Sequence, residues 1–182
     1  VSSVVGLQKR QAPVIRILKK ELGKCKRVMT YNLKYLTGAY PEGDALMDLY
    51  IHPLDYVTYL FGKADVKCVE KVENHTLMLL LKHYNATGVL ELSTGYSWTE
   101  AKELLTINTS NGIYQMEQMD SLKYQAKQRV VMGIPMEKIS PRNMVVIDLF
   151  GRNNFVPMIQ NNQIYTQGYF DTIKHFVDMV EC

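Results

Sequence analysis

An acidic stripe with a single histidine lies in segment 43–55, GDALMDLYIHPLD. If this segment is helical, Asp48 and His52 stand four residues apart on one face, together with Asp44 and Asp55. The segment contains no Lys or Arg. A histidine beside a carboxylate can accept and return a proton near neutral pH, because the carboxylate sets its charge and tautomer. The pattern therefore indicates a proton-transfer group held over a polar substrate.

Other kinds of site find less support in the sequence. Carboxylates and imidazole suit Zn or Mn, but no second cluster has ligand spacing, so we predict no metal site. Segment 95–97, Gly-Tyr-Ser, lacks the G-x-S-x-G pattern of a serine nucleophile, and no Cys has a nearby His. Glycine-rich nucleotide-phosphate loops are absent. A solvent-exposed helix face that carries a chance histidine remains the plain structural alternative.

Composition places the chain among ordinary globular domains. It has 182 residues, 47% of them hydrophobic and 21% charged, which is enough for one domain with a real core. A net charge of +3 is too small to indicate binding to nucleic acid or to an anionic membrane. Three cysteines without C-x-x-C spacing indicate reduced thiols and a cytoplasmic protein. We expect no signal peptide and no membrane span, because no apolar run approaches the roughly 20 residues that a span needs.

The acidic stripe requires a helix to position it. The pattern predicts a helix from Asp44 to Phe61 that ends at Gly62. Pro53 lies inside it and predicts a kink or a frayed turn beside His52. The predicted core stripe of this helix consists of Leu46, Leu49, Tyr50, Leu54, Val57, Leu60 and Phe61.

Strand patterns dominate the rest of the chain. Pro13 begins a helix that ends at Gly23, and Tyr165–Glu181 predicts a closing amphipathic helix with the stripe Phe170, Ile173, Phe176, Val177 and Val180. Turn residues separate the predicted strands, as in the hairpin signal Asn111-Gly112. The predicted strands are Ser3–Leu7, Arg27–Tyr35, Asp65–Glu73, Thr76–Tyr84, Gly88–Thr94, Glu103–Asn108, Gly112–Gln118 and a continuation within Leu122–Met132. Residues 134–162 give no clear pattern.

These elements predict an α+β fold with one large, open, mainly antiparallel sheet and helices on one face. The run Leu77–Leu81 is apolar on both faces, so both sides of the sheet are expected to be covered. A second copy of the chain is the expected cover of the other side, which predicts a homodimer or higher oligomer. Because the chain begins at Val1 in a strand pattern and ends at Cys182 in a helical one, we expect a piece of a longer protein.

Several of these motifs, in this order, resemble the glucose–fructose oxidoreductase / inositol dehydrogenase (Gfo/Idh/MocA) family. Asp48 to His52 matches its D-x-x-x-H signature, and the loop Gly38–Asp44 resembles its G-x-x-P-E-G-D text. Segment 5–13, VGLQKRQAP, resembles the link between the two halves of these enzymes, with Gln-Lys-Arg where Asn-Arg-Arg is usual. The similarity covers nearly the whole chain.

The resemblance implies that residues 1–182 are the substrate-binding and dimerisation domain of such an enzyme, with a fold like the C-terminal domain of dihydrodipicolinate reductase. Residues 1–10 would be the linking strand from an N-terminal Rossmann domain that this chain lacks. Family members transfer hydride between NAD or NADP and a sugar, cyclitol or related alcohol. The missing domain would bind most of the cofactor and would carry the Glu-Lys-Pro lysine of the family.

The resemblance also assigns roles to individual residues. His52 corresponds to the catalytic histidine that takes the proton of the substrate hydroxyl, and Asp48 to its acidic partner. Further substrate contacts are predicted at Asp44, Tyr40 and Lys34, and cofactor contacts at Lys9 and Arg10. The alternative hypothesis is a non-catalytic domain that binds a sugar-like ligand or serves for interaction, with His52 and Asp48 as contacts.

Overall fold

An eight-stranded sheet organises the part of the chain that the computed structural model describes, residues 6–128, 130–136, 146–152 and 162–181. The strand order is β10-β7-β6-β5-β1-β4-β3-β2, and a separate hairpin pairs β8 with β9. β1 pairs with β4 in parallel and with β5 antiparallel, and all other neighbours are antiparallel. The strands are β1 Val28–Gly38, β2 Ala64–Val72, β3 Thr76–His83, β4 Thr87–Tyr96, β5 Lys102–Thr109, β6 Gly112–Glu117, β7 Ser121–Ala126, β8 Val130–Val131, β9 Ile134–Pro135 and β10 Val146–Gly151.

Helices cover one face of this sheet. They are α1 Pro13–Gly23, α2 Ile51–Phe61, α3 Gln163–Thr166 and α4 Tyr169–Glu181, with 3₁₀ turns at Gln8–Gln11 and Trp98–Glu100. Their buried side chains join one phase of the central strands in a single core that contains Val14, Ile15, Leu18, Tyr31, Leu33, Val57, Leu90, Leu92, Leu105, Ile107, Met116 and Leu122. The predicted α+β fold with a mainly antiparallel sheet is therefore confirmed.

The helix that carries His52 departs from a regular α-helix. Leu46–Tyr50 forms a π-helical turn, in which the Ile51 amide donates to the carbonyl of Leu46, and α2 follows directly. Pro53 lies in the first turn of α2, where it cannot donate to the carbonyl of residue 49. The predicted disturbance beside His52 is thus a π-turn.

The core stripe predicted for this helix needs two corrections. Leu46 is 47% exposed, because the π-turn rotates the start of the helix away from the sheet, whereas Tyr56 is fully buried. The far end behaves as predicted: Phe61 stacks on Tyr31 with 4.4 Å between ring centroids. The hydroxyl of Tyr31 in turn forms a hydrogen bond with His83 Nε2 at 2.8 Å.

The two ends of the chain also differ from the predictions. Leu7 is not in a strand, Gln8–Gln11 forms a 3₁₀ turn, and the rest of the predicted strand Ser3–Leu7 lies mostly outside the described residues. The predicted closing helix is broken at Gly168, which has a φ of +87°. Its apolar stripe is largely open, with Ile173 63% and Val177 42% exposed. Within the described chain, α4 contacts chiefly the 3₁₀ turn Gln8–Gln11 and α3.

β10 is an element that the sequence patterns missed. It forms the edge of the sheet beside β7, with Ile147 opposite Tyr124. It falls within residues 134–162, where Pro, Asn and Gly obscured the alternation, and the remainder of that segment at 137–145 and 153–161 lies outside the described residues. No helix of the described residues is long and apolar enough to cross a membrane.

Gly88 lies directly against the ring of a buried tyrosine. It lies opposite Tyr31 on the parallel pair β1–β4, and a Cβ added there would fall inside the Tyr31 ring. The ring cannot move aside, because it is 1% exposed, stacked on Phe61 and bonded to His83. A glycine is thus required so that an aromatic ring can cover the strand.

We expect Gly88→Ala to lower the free energy of unfolding by about 1–3 kcal/mol, because the added methyl overfills a core that cannot relax. Urea unfolding followed by circular dichroism measures the change. Gly151→Ala is the matched control, since Gly151 is also in a strand but has no atom within 4 Å of an added Cβ. A Gly88→Ala protein as stable as the control would show that the Tyr31 ring is not fixed in place.

Candidate active site

A cavity of about 550 Å³ opens at the carboxyl end of β1, beside the start of β5. The 3₁₀ turn at Gln8–Gln11, the π-turn, and α3 and α4 close its other sides. Its lining is polar and aromatic, with few aliphatic groups. Prominent among the lining side chains are Tyr35, Trp98 and Tyr169, four glutamines (Gln8, Gln118, Gln163, Gln167), and the ionisable groups Lys9, Asp48, His52, Lys102 and Glu103.

His52 lies half-buried in the wall of this cavity, at the start of α2. Burial lowers the pKa of His52 below its ordinary value of 6.5; the nearby Lys9 lowers it further, while Glu103 and Asp55 oppose the change. The imidazole is therefore neutral at pH 7 and can accept a proton. Its Nδ1 atom is buried and has no hydrogen-bond partner among the described residues.

Asp48 also lines the cavity, but its carboxylate is bound by its own helix end. The Oδ2 atom accepts the backbone N–H of Asp44 at 3.1 Å. The Asp44 side chain in turn accepts the backbone N–H of Leu46 at 2.8 Å, so the two acids cap the helix reciprocally. Among the described residues, no hydrogen bond joins Asp48 to His52. The two residues predicted to act together thus share the cavity without touching through a hydrogen bond.

A buried ion pair between Lys9 and Glu103 forms another part of the wall. Lys9 Nζ lies 2.7 Å from Glu103 Oε2, and the two side chains are only 8% and 7% exposed. The ammonium also lies 4.7 Å from the centroid of the Tyr35 ring. The second carboxylate oxygen of Glu103 is buried without a partner among the described residues. The pair therefore brings two opposite charges close to His52.

The sequence analysis missed Glu103, although the sequence contains a signal for it. In β5, Glu103 falls in the same alternating phase as Leu105 and Ile107, which are fully buried core residues. A charge in the inward phase of a strand requires a partner, because an unpaired buried carboxylate is strongly unfavourable. Glu103 stands opposite Tyr35 on β1, which places both side chains at the cavity.

Arg10 and Asp55 form a second ion pair behind the cavity. The Arg10 guanidinium donates two hydrogen bonds to the Asp55 carboxylate. Its Nε atom lies 2.6 Å from Oδ2, and its Nη2 atom donates to Oδ1. This contact raises the already high pKa of Arg10. Asp55 is buried, so it does not extend the acidic stripe on an open helix face, as the sequence pattern had suggested. The pair fastens the 3₁₀ turn to α2.

The structure therefore gathers some of the predicted site residues and separates others. His52, Asp48 and Lys9 line one cavity. Asp44 serves as a helix cap, and Tyr40 lies beside Asp48, whose charge adds to desolvation in raising the Tyr40 pKa. Lys34 lies on the opposite face of the sheet, where it pairs with Glu91 at 3.2 Å. Contacts of Lys9 and Arg10 with a cofactor stay a prediction, since both cations are engaged by carboxylates.

Trp98 is an exposed aromatic group with a fixed position at the rim of the cavity. Its side chain is 55% exposed, yet its indole N–H donates to the carbonyl of Ala39 at 3.0 Å. The ring also packs against Gly38, where a Cβ would collide with it. Among the described residues, no group of three or more His, Cys, Asp or Glu is placed to hold a metal ion.

Comparison with known proteins identifies the fold. No family model matches the sequence, and no curated protein matches it significantly. Solved structures do match: a dehydrogenase (MviM) from Clostridium difficile has a TM-score of 0.72 and 16% identity, with 97% of this chain and 53% of that chain covered. Levoglucosan dehydrogenase in complex with NADH and L-sorbose has a TM-score of 0.69 and 14% identity, over 94% and 55%.

A third structure extends the comparison to sugar nucleotides. UDP-N-acetylglucosamine 3-dehydrogenase GnnA from Acidithiobacillus ferrooxidans has a TM-score of 0.56 and 20% identity, over 68% of this chain and 43% of that one. The chain thus spans about half the length of the dehydrogenases it matches. At this identity the similarity establishes the fold alone, which is the one shared by Gfo/Idh/MocA-type oxidoreductases over that stretch.

Proposed function

We propose that this chain is the substrate-binding half of an NAD(P)-dependent oxidoreductase that acts on a sugar, cyclitol or related alcohol. One observation carries the proposal: a neutral, half-buried His52 lines a cavity of about 550 Å³ whose other side chains are mainly polar and aromatic. The shared fold with dehydrogenases, one of which is described with NADH and L-sorbose, supports the same conclusion. A nucleotide-binding domain would complete the enzyme, because the chain spans about half the length of these structures.

In this proposal His52 is the proton-transfer residue. A substrate hydroxyl that enters the cavity would donate its proton to the imidazole while the adjacent carbon loses a hydride. Bound NAD or NADP would supply the hydride acceptor. The low pKa of His52 keeps the imidazole free to accept the proton at neutral pH. Asp48, on the same wall, would accept a hydrogen bond from a second hydroxyl of the substrate.

The lining of the cavity supports a neutral, polyhydroxylated ligand. Its charged side chains include both signs, with Lys9 paired to Glu103, so the lining formed by the described residues offers no free cluster of cations for a phosphate. Glutamine amides can donate to and accept from hydroxyl groups. Trp98 offers a rigid apolar surface on which the C–H groups of a sugar ring can lie.

The outer face of the sheet supports the predicted dimer. Val89 is 40% and Ile113 is 42% exposed there, and Leu80 and Leu104 on neighbouring strands are half-buried. Leu80 stands opposite Val89 in the pairing of β3 with β4, so these two side chains form an apolar strip. β1, whose Asn32 and Lys34 face the same side, separates this strip from Leu104 and Ile113. We propose that a second copy of the chain covers this strip. The free thiols of Cys25 and Cys68 support a reducing, cytoplasmic location.

We expect His52→Ala to lower turnover by about 10²- to 10⁴-fold in the dehydrogenase formed with its nucleotide-binding domain, because the general base is lost. The assay follows reduction of NAD and NADP with a panel of sugars and polyols. His175→Ala is the control, since His175 is exposed on α4 away from the cavity. In the unmodified enzyme, kcat/KM should fall as the pH drops through the lowered pKa of His52, because protonation removes the base.

Two results would count against this function. A His52→Ala enzyme with near-full turnover would remove the catalytic role of the histidine. Sugar binding without reduction of either cofactor would favour the alternative, a non-catalytic domain in which His52 and Asp48 only contact the ligand.

We expect Gly38→Ala to displace the Trp98 ring from the rim of the cavity. Trp98 is the single tryptophan of the chain, so its fluorescence reports on this position alone. The displaced indole should show a red-shifted emission and stronger quenching by acrylamide. Gly151→Ala, which adds a methyl group in open space, should leave both unchanged. An unchanged spectrum in Gly38→Ala would mean that the ring is not held as described.

We expect the chain to sediment as a dimer and Val89→Lys to sediment as a monomer, because the lysine places a charge in the apolar strip. Val177→Lys is the matched control, since Val177 is 42% exposed on α4 and lies away from the strip. A dimer that survives Val89→Lys but not Val177→Lys would place the interface on α4 instead. Sedimentation velocity at micromolar concentration distinguishes these outcomes.

A further inference from the structure

Three buried polar atoms without a hydrogen-bond partner occur among the described side chains, and they belong to one cluster. They are Nδ1 of His52, the hydroxyl of Tyr56 and Oε1 of Glu103. Tyr56 follows His52 by four residues on α2, which places the two side chains on one face of the helix. Burial raises the pKa of Tyr56, and the charge of Glu103, which lies near the Tyr56 hydroxyl, raises it further. The same charge acts on His52, so the carboxylate lies close to both side chains.

Such groups are rarely left unpaired in a folded protein, because each one forfeits its hydrogen bonds to water. The atoms here are chemically complementary. A neutral histidine that accepts a proton at Nε2 carries its hydrogen on Nδ1, where it needs an acceptor. Glu103 Oε1 is an acceptor, and the Tyr56 hydroxyl can donate, accept or bridge the two.

We propose that Glu103, held in place by Lys9, is the carboxylate that positions His52, and that Asp48 does not have this role. The inference rests on the function proposed above and deepens it. Lys9 binds only Oε2 of Glu103, at 2.7 Å, which leaves Oε1 available to the Nδ1 hydrogen of His52. Asp48 is exposed, accepts the backbone N–H of Asp44 through Oδ2 and lies beside Tyr40.

The two members of the ion pair act on His52 in opposite directions. Lys9 disfavours a positive charge on the imidazole and so keeps the resting base neutral. Glu103 favours that charge and so stabilises the imidazolium that forms when the substrate proton arrives. The proton passes from the substrate hydroxyl to Nε2 and stays on the ring, while the carboxylate remains ionised. Glu103 and Lys9 are thus positioning residues, and neither needs to touch the substrate.

The remaining ionisable groups around His52 complete this electrostatic setting. Asp55 raises the pKa of His52, but its carboxylate is bound at both oxygens by Arg10. The other ionisable neighbours lie along the cavity and on α2; among them the Tyr56 hydroxyl is also unpaired, but a neutral hydroxyl cannot balance the charge of an imidazolium as a carboxylate does. These neighbours are Tyr35 on β1, Asp48 on the π-turn, Tyr56 on α2, Lys102 on β5 and Tyr169 on α4.

The test is an NMR titration of His52 in the chain itself, with ¹³C- and ¹⁵N-labelled histidine. The chain has four histidines, and His52→Gln identifies the signal of interest. We expect Glu103→Gln to lower the titration midpoint of His52 and Lys9→Met to raise it. The double variant should return the midpoint toward that of the unmodified chain. Asp48→Asn should change it less than either single variant.

Glu103→Gln keeps the shape of the side chain and an acceptor for Lys9, and circular dichroism verifies that each variant is folded. A midpoint that falls in Asp48→Asn and not in Glu103→Gln would overturn the proposal and make Asp48 the partner. An unchanged midpoint in all folded variants would overturn it as well. In the complete enzyme, Glu103→Gln should reduce kcat about 10-fold or more and shift its acidic limb, with a smaller effect on KM.

The titration tests the positioning role independently of the proposed function. The titration needs no substrate, cofactor or second domain, so it can succeed even if His52→Ala retains turnover. If His52→Ala is inactive but the titration midpoint of His52 is unchanged in Glu103→Gln and Lys9→Met, the proposed function stands and only the positioning role is rejected.

Discussion

Two ion pairs at the 3₁₀ turn hold the candidate site together. Lys9 reaches β5 through Glu103, and Arg10 reaches α2 through Asp55. The 3₁₀ geometry, with three residues per turn, sends consecutive side chains in different directions, so one short segment can bind a strand and a helix at once. Breaking a pair that is buried on both sides, as Lys9–Glu103 is, typically costs about 3–5 kcal/mol, because the remaining charge is left without a partner. The position of His52 between sheet and turn depends on these contacts.

The cavity arises where the core of the sheet changes character along its strands. In the middle of the pair β1–β5, Leu33 stands opposite Leu105, and both are fully buried. Two residues farther along β1, in the same phase, Tyr35 stands opposite Glu103. Inward and outward side chains still alternate along both strands, but the inward ones change from hydrocarbon to polar groups. The polar end must be solvated or filled by a ligand, and this makes it the natural place for chemistry.

The helix that carries His52 combines rigidity with a local irregularity. At its far end, Phe61 stacks on the ring of Tyr31, and this ring is itself held against Gly88. Its near end is a π-turn followed by Pro53, which are features that often mark functional sites in helices. The turn directs the acids at the start of the helix toward capping their own backbone. His52 consequently faces the cavity with Asp48 occupied and Glu103 nearby.

The sequence alone determined the α+β class, the central strands and the helix after the acidic loop, because hydrophobic periodicity and turn residues are local signals. It also singled out His52 as a candidate, which the structure places in the wall of the cavity. It could not determine which carboxylates lie near the histidine in the fold. Four-residue spacing predicted Asp48 as the partner, yet Asp48 caps the helix and Glu103, 51 positions beyond His52, lies in the same wall. Only the pairing of β1 with β5 brings Glu103 to Lys9, since contacts between distant segments depend on strand register and leave no local periodicity. Tertiary structure likewise decided that Asp55 is buried by Arg10 and that Lys34 faces away from the cavity.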